Sequence, residues 1–192
     1  PFTVIGATTR TGLISGPLQT RFGIIERLDY YAPGELAEIA LQNARFVQVE
    51  MESDAAALIG QRARGTPRIV KRLFRRVRDF AQVHGLGRIT RDVAAAALHF
   101  FGIDEDGLGK LDRDILRIML TEFDGGPVGL ETLAAVTGED KDTLEQYCEP
   151  FLMRLGWLQK TSRGRSIPPR KQLELRRKLA LEGGGEQKTL FE

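Results

Sequence analysis

Helix punctuation limits what this chain can fold into more than any other feature. Pro33 followed by Glu35 opens a segment whose apolar positions Leu36, Ile39, Ala40 and Ala44 keep helical spacing. Ser53 caps a second, alanine-rich segment that stops at Gly65. Thr66 and Pro67 fit the N-cap and first helical positions of a third, with Ile69, Leu73, Val77 and Phe80 on one face and His84-Gly85 at its end. Thr90 caps a fourth that Gly102 closes. Four helices within about seventy residues predict a compact helical subdomain.

From Asp104 the rhythm changes. Leu111, Ile115, Ile118, Met119 and Phe123 predict a helix that stops at Gly125-Gly126-Pro127, Leu130 to Val136 predict a second, and a third begins near Asp140. Pro150 should kink or restart that third helix, because it lacks a backbone N–H and clashes with the preceding turn. Trp157 to Thr161 reads as a strand, Ser162-Arg163-Gly164-Arg165 as a hairpin tip and Ser166-Ile167 as the return. Three helices followed by a two-stranded ribbon is the winged-helix plan. At the other end, Phe2 to Ala7 reads as the inner strand of a larger sheet and Ile24 to Leu28 as a second short strand. A lone buried strand has no stability of its own, so the chain is expected to be the C-terminal part of something longer.

Composition narrows the function. Of 192 residues, 42% are hydrophobic and 28% charged, which are ordinary globular values, and no apolar run reaches the length of a membrane span. One cysteine, Cys148, and two histidines exclude an internal disulfide framework and an unaided structural zinc site, and a cytoplasmic location is expected. The net charge of +2 conceals segregation. Eight basic residues and no acid lie between Arg62 and Arg78, and eight more with only Glu174 between Lys160 and Lys178; residues 104–149 are predominantly acidic. Two separate basic regions fit two anionic partners, or two parts of one, although composition alone slightly favours solvated faces that balance the acidic middle.

Arg68 is the most informative single residue. In the first turn of its helix a cation is unfavourable by roughly 0.3 to 1 kcal/mol, and a bound anion reverses that sign. An arginine folded back onto a neighbouring carboxylate is the competing reading. The hairpin Lys160-Thr161-Ser162-Arg163-Gly164-Arg165 places three cations on a narrow turn suited to phosphates without reading sequence. No Gly-x-x-x-x-Gly-Lys-Ser/Thr motif occurs, and the run from Gly102 to Lys110 has its lysine out of register, so the chain alone is not expected to hydrolyse ATP. Trp157, Phe151 and Leu155 have core spacing, and His84, His99 and Cys148 show no catalytic neighbourhood.

Four runs carry a family likeness: Ile5-Gly6-Ala7-Thr8-Thr9-Arg10, Pro17-Leu18-Gln19-Thr20-Arg21-Phe22-Gly23-Ile24, Arg64-Gly65-Thr66-Pro67-Arg68-Ile69 and Gly125-Gly126-Pro127-Val128-Gly129-Leu130. Together they closely resemble the RuvB family of bacterial Holliday-junction branch-migration motors, over Pro1 to about Ile167. The resemblance implies a mainly α chain: the end of a large AAA+ α/β ATPase domain (1–32), a small helical AAA+ lid (33–103) and a winged helix (104–168); beyond it, a basic amphipathic stretch, a Gly183-Gly184-Gly185 linker and a short terminal peptide read as a basic, flexible tail (169–192). It implies Thr8 or Thr9 at the sensor-1 position, Arg21 as an arginine finger acting on a neighbouring subunit's nucleotide, Tyr31 beside the adenine and Arg68 as the sensor-2 arginine. It also implies DNA contacts from Lys160, Arg163 and Arg165. ATP with Mg2+ is the implied nucleotide, with the Mg2+ ligands outside this chain. Double-stranded DNA at four-way junctions, RuvA, RuvC and a homo-hexamer are the implied partners. The chain departs from the family at Gln19 and Lys160, where arginine is usual, and at Ser162, where proline is usual.

Beyond the likeness, Gln187, Leu190 and Phe191 after a triglycine look like a short sliding-clamp docking motif. A non-enzymatic winged-helix DNA-binding regulator is the alternative from another class, and a clamp-loader-like AAA+ relative is a third.

Overall fold

The computed structural model describes residues 1–8, 11–84 and 86–182, with the side chains of 11 and 180–182 outside the description. The chain divides into two compact units, Pro1–Tyr30 and Tyr31–Glu192.

In the first unit, Thr11–Leu13 form a 3-10 turn and Gly16–Gln19 a single turn of helix, α1, with Pro17 in its first positions. The two strands expected from sequence do not form: residues 1–8 and 24–28 are irregular. Their apolar side chains stay in solvent, Ile5 at 92% and Ile24 at 79% exposure. A strand is stabilised by the ladder beside it, and β-branched residues without a partner strand lack the hydrogen bonds that would hold them extended.

The second unit begins with the helical subdomain expected from the punctuation: α2 (Pro33–Phe46), α3 (Ser53–Arg62), α4 (Pro67–Val83) and α5 (Arg91–Phe100). A two-residue parallel pair, β1 (Glu50–Met51) with β2 (Arg88–Ile89), ties the loops together. Leu36, Ile59, Val70, Phe74, Val77 and Ile89 are essentially removed from water at its centre. Gly60 is buried where α3 crosses the start of α2, and a methyl there would meet the Pro33 carbonyl oxygen and the Ala37 nitrogen, the latter at 2.9 Å.

The winged helix follows, with α6 (Lys110–Thr121), α7 (Leu130–Thr137), α8 (Lys141–Thr143) and α9 (Glu149–Arg154). Between α8 and α9, Leu144–Cys148 form a π-turn whose Glu149 N–H reaches back to the Leu144 carbonyl. This is how the chain accommodates Pro150, whose ring would clash with the carbonyl four residues earlier in an uninterrupted α-helix. β3 (Gln159–Thr161) pairs antiparallel with β4 (Gly164–Ser166), so the hairpin tip is Ser162-Arg163 and Arg165 lies in the return strand. Val128 adds a bridge to Arg165 through two 2.7 Å hydrogen bonds. Gly164, at φ 132°, has no room for a side chain there, because a methyl would strike the Val128 carbonyl.

The tail departs from expectation. Pro169–Glu182 is a helix, α10, whose Leu175 and Leu179 are buried in the winged-helix core. Arg176 donates to the Leu120 carbonyl at 3.1 Å, and Lys178 pairs with Asp106 at 2.6 Å. Apolar burial orders this segment where charge content alone predicts flexibility. Residues 183–192, with the clamp-docking candidates Gln187, Leu190 and Phe191, lie outside the described residues. We expect Leu175→Ala to lower stability by about 2–5 kcal/mol in denaturant unfolding, and Leu173→Ala, on the exposed side of α10, to change it by less than about 0.5 kcal/mol.

Candidate functional site

The start of α4 is the first candidate. Gly65, at φ 69°, accepts the Tyr31 backbone N–H at 3.0 Å, which ties the entry of the helical subdomain to the loop before α4. Thr66 stands at the N-cap with extended backbone, as its position predicts. Its hydroxyl, however, donates to the Arg64 carbonyl at 3.2 Å, and no side chain caps the helix. The first turn also lacks an acid, so the partial positive charge of the dipole is uncompensated there. Arg68 is exposed and, among the described residues, makes no side-chain hydrogen bond or ion pair. The fold-back onto a carboxylate is therefore absent from the described residues, and the guanidinium is available to an anion. Tyr31 is half-exposed.

Within the first unit, Arg21 follows α1, and its backbone N–H donates to the Leu18 carbonyl at 3.2 Å. Its side chain is exposed and has no hydrogen-bond or ion-pair partner among the described residues. Among the described residues no ion pair joins it to Glu26 or Asp29, and Asp29 pairs with Arg27 at 3.7 Å. Gln19 donates to the Ile14 carbonyl at 3.0 Å. Thr8 is exposed, and Thr9 lies outside the described residues.

The wing is the second candidate, and here the structure adds partners that the sequence reading missed. Lys160 and Arg165 stand directly opposite each other across the hairpin, a like-charge pairing that is unfavourable unless something lies between. Glu149, 3% exposed, accepts from Arg165 Nε at 2.6 Å and pairs with Lys160 Nζ at 2.9 Å. Glu145 pairs with both, at 3.1 and 3.5 Å. The hydrogen bond to Glu149, then that to Glu145, holds the Lys160 ammonium above the ordinary lysine range. Arg163, at the exposed tip, has no side-chain partner among the described residues. Glu149 is legible in retrospect as an acid immediately before the proline that breaks its helix, a turn away from Glu145.

A further cation received no role from the sequence. Arg64 adopts φ 55°, its side chain is 9% exposed, and it donates through Nε to the Gly107 carbonyl at 3.0 Å. Its guanidinium forms a short ion pair with Asp112, 2% exposed, and lies 4.3 Å from the Phe151 ring centre and 5.2 Å from that of Tyr147. The only signal in the sequence was its place in the Arg64-Gly65-Thr66-Pro67-Arg68 run.

A four-helix subdomain with an uncapped Gly-Thr-Pro-Arg loop, followed by a winged helix with a basic tip, is the arrangement of an AAA+ lid joined to a winged-helix domain. Comparison with known families agrees segment by segment. Residues 31–104 match the RuvB AAA lid domain, 105–172 the RuvB C-terminal winged helix domain, and 1–28 the Holliday junction DNA helicase RuvB P-loop domain. The chain belongs to the RuvB family.

The chain is 54% identical over 168 residues to a Holliday junction branch migration complex subunit RuvB of Synechococcus sp. (strain JA-3-3Ab), covering 88% of this chain and 44% of that protein. The corresponding protein of Thermobifida fusca (strain YX) is 51% identical over 169 residues, covering 88% and 48%. The solved structure of the Thermotoga maritima RuvB Holliday junction branch migration motor superposes with a TM-score of 0.83 at 45% identity, covering 92% of this chain and 59% of that one. The chain thus spans a little under half the length of these curated relatives.

Cys148, fully buried, gives a check on the core behind this site. Burial, reinforced by the charge of Asp112, pushes its thiol up to about 12. Above about pH 9 the unfolded chain releases a proton that the folded chain retains, so this residue makes stability fall as pH rises through that window. A thiol-disulfide reagent at pH 8 should leave the folded chain unlabelled and modify it fully in guanidinium; equal rates in both states would contradict the packing.

Proposed function

We propose that these residues serve as the sensing, trans-acting and DNA-gripping parts of an ATP-driven hexameric motor that migrates four-way DNA junctions together with RuvA and RuvC. The observation that carries the reading is Arg68, an exposed guanidinium without a partner among the described residues, at the uncapped start of α4. Phosphoryl transfer accumulates charge on equatorial oxygens, and catalysis consists largely of placing fixed positive charge around them. In this reading Arg68 answers the γ-phosphate of its own subunit and Tyr31 lies beside the adenine. Arg21, unlocked within its own unit, reaches a neighbour's nucleotide, and Thr8 or Thr9 polarises the attacking water. An arginine supplied in trans contributes about a thousandfold or more in rate.

The donors present suit a triphosphate. In this reading the Mg2+ that accompanies it is held by residues other than these. Lys160, Arg163 and Arg165 would hold phosphates of the duplex, with Arg163 the readiest of the three because it has no acidic partner to exchange among the described residues. Gln187, Leu190 and Phe191 are retained as a candidate sliding-clamp contact. We assign the protein to the cytoplasm; separately, no helix among the described residues is long and apolar enough to cross a membrane.

The test uses a full-length RuvB carrying these residues, assayed for junction-stimulated ATP hydrolysis with Arg21→Ala subunits alone and in mixtures. Arg21→Ala subunits alone should be inactive, and mixing them with subunits that keep Arg21 but carry an inactivated P-loop lysine, also inactive alone, should restore turnover; no restoration removes the action in trans. For the wing, Arg163→Ala should weaken duplex binding to the same degree for every sequence. It should also reduce the slope of log affinity against log salt by about 0.9. An unchanged salt titration would remove Arg163 from the interface.

A further inference from the structure

We propose that Arg64 is a positioning residue that locks the winged helix onto the loop carrying Arg68, so that a displacement of Arg68 by nucleotide carries the wing with it. The transmission rests on the nucleotide-sensing reading of Arg68; the lock itself does not.

Three contacts support the lock. Arg64 is enclosed by groups of the winged helix and its approach: the Gly107 carbonyl, the Asp112 carboxylate and the rings of Tyr147 and Phe151. One turn along α4 from Arg68, Arg72 donates to the Tyr147 hydroxyl at 2.7 Å. The backbones also meet, since a methyl on Gly107 would lie 2.9 Å from the Arg62 carbonyl oxygen.

The link from Arg64 to Arg68 is short and stiff. Between them stand only Gly65 in the left-handed region, Thr66 with its hydroxyl bonded back to the Arg64 carbonyl, and Pro67 with its fixed φ. Arg64 itself holds a left-handed φ that costs a non-glycine residue energy, and the surrounding contacts over-determine it.

The far side of the lock leads to the wing. Tyr147 and Phe151 belong to the same π-turn and helix as Glu145 and Glu149, the carboxylates that hold Lys160 and Arg165. Each step is a packed or hydrogen-bonded contact, and the buried charge sets the lock apart from plain apolar packing. A guanidinium between a carboxylate, a carbonyl and two ring faces has one satisfactory orientation, whereas an apolar side chain of similar size tolerates several.

Arg64→Met keeps the volume and removes the directional contacts. Spin labels on Glu38→Cys in α2 and Ser162→Cys at the wing tip report the distance between the two subdomains; buried Cys148 stays unlabelled. In the otherwise unmodified chain the distance distribution should be narrow, and Arg64→Met should broaden it while the helical circular dichroism is retained. A folded Arg64→Met chain with an equally narrow distribution overturns the lock. Should Arg64→Met fail to fold, Asp112→Asn is read in the same way, since it leaves the guanidinium on its rings.

In a full-length RuvB carrying these residues, Arg64→Met should retain ATP hydrolysis and duplex binding while junction migration per ATP falls about tenfold. An unchanged ratio overturns the transmission. If the unmodified full-length protein does not migrate junctions, the motor reading fails and the transmission with it, and the label distances decide the lock alone.

Discussion

A guanidinium taken out of water must find partners for its donors, and much of the arrangement between the helical subdomain and the winged helix follows from satisfying that demand at Arg64. The Asp112 carboxylate that neutralises it also accepts the Gly109 N–H at 2.8 Å and so closes the first turn of α6. Arg113, the next residue, donates to the carbonyls of Gly102 and Leu108 at 2.9 and 3.0 Å, and Asp104 accepts the Leu108 N–H at 2.8 Å. The stretch between the two subdomains is thus no free hinge, because its backbone groups are spent on side chains at either end. Removing one partner would leave a buried charge exposed to the others, which is why such an element behaves as a unit.

The helices were legible because their signals are local. Proline and hydroxyl caps, the 3.6-residue recurrence of apolar positions and closing glycines depend on neighbours in sequence, and α2, α4 and α5 begin where those signals stand; Ser53, expected as a cap, is instead the first residue of α3, with Glu52 at the N-cap position. What could not be read depends on neighbours in space. The β-rich residues near Val4 and Ile25 meet the compositional requirement for strands but have no ladder beside them. Pro150 announced a break without revealing its form, which turned out to be a π-turn that shifts the register by one residue. Residues 169–182 look like a charged tail until Leu175 and Leu179 are seen inside a core.

The same division runs through the site. Arg68 was legible because a cation at a helix start violates an electrostatic preference, and that violation is visible in one dimension. Thr66 was placed correctly, yet its hydroxyl donates to the Arg64 carbonyl and does not cap the helix amides. The acids that embrace Lys160 and Arg165 come from eleven or more residues earlier in the chain, and no spacing rule connects them. Arg64 was quoted only as part of a motif, since nothing along the sequence says that two aromatic rings and a carboxylate lie waiting eighty-odd and forty-eight residues away.

The carboxylates beneath the hairpin have one more consequence. A protein that travels along a polyanion is slowed by every ionic bond it must break, so strong adhesion and rapid movement oppose each other. Glu145 and Glu149 already share the charge of Lys160 and Arg165, so on the proposed reading a passing phosphate would have to compete for these cations and would give them back cheaply on leaving. On the proposed DNA-motor reading the embedded acids would act as a lubricant, trading tightness of grip for low drag and leaving traction to Arg163.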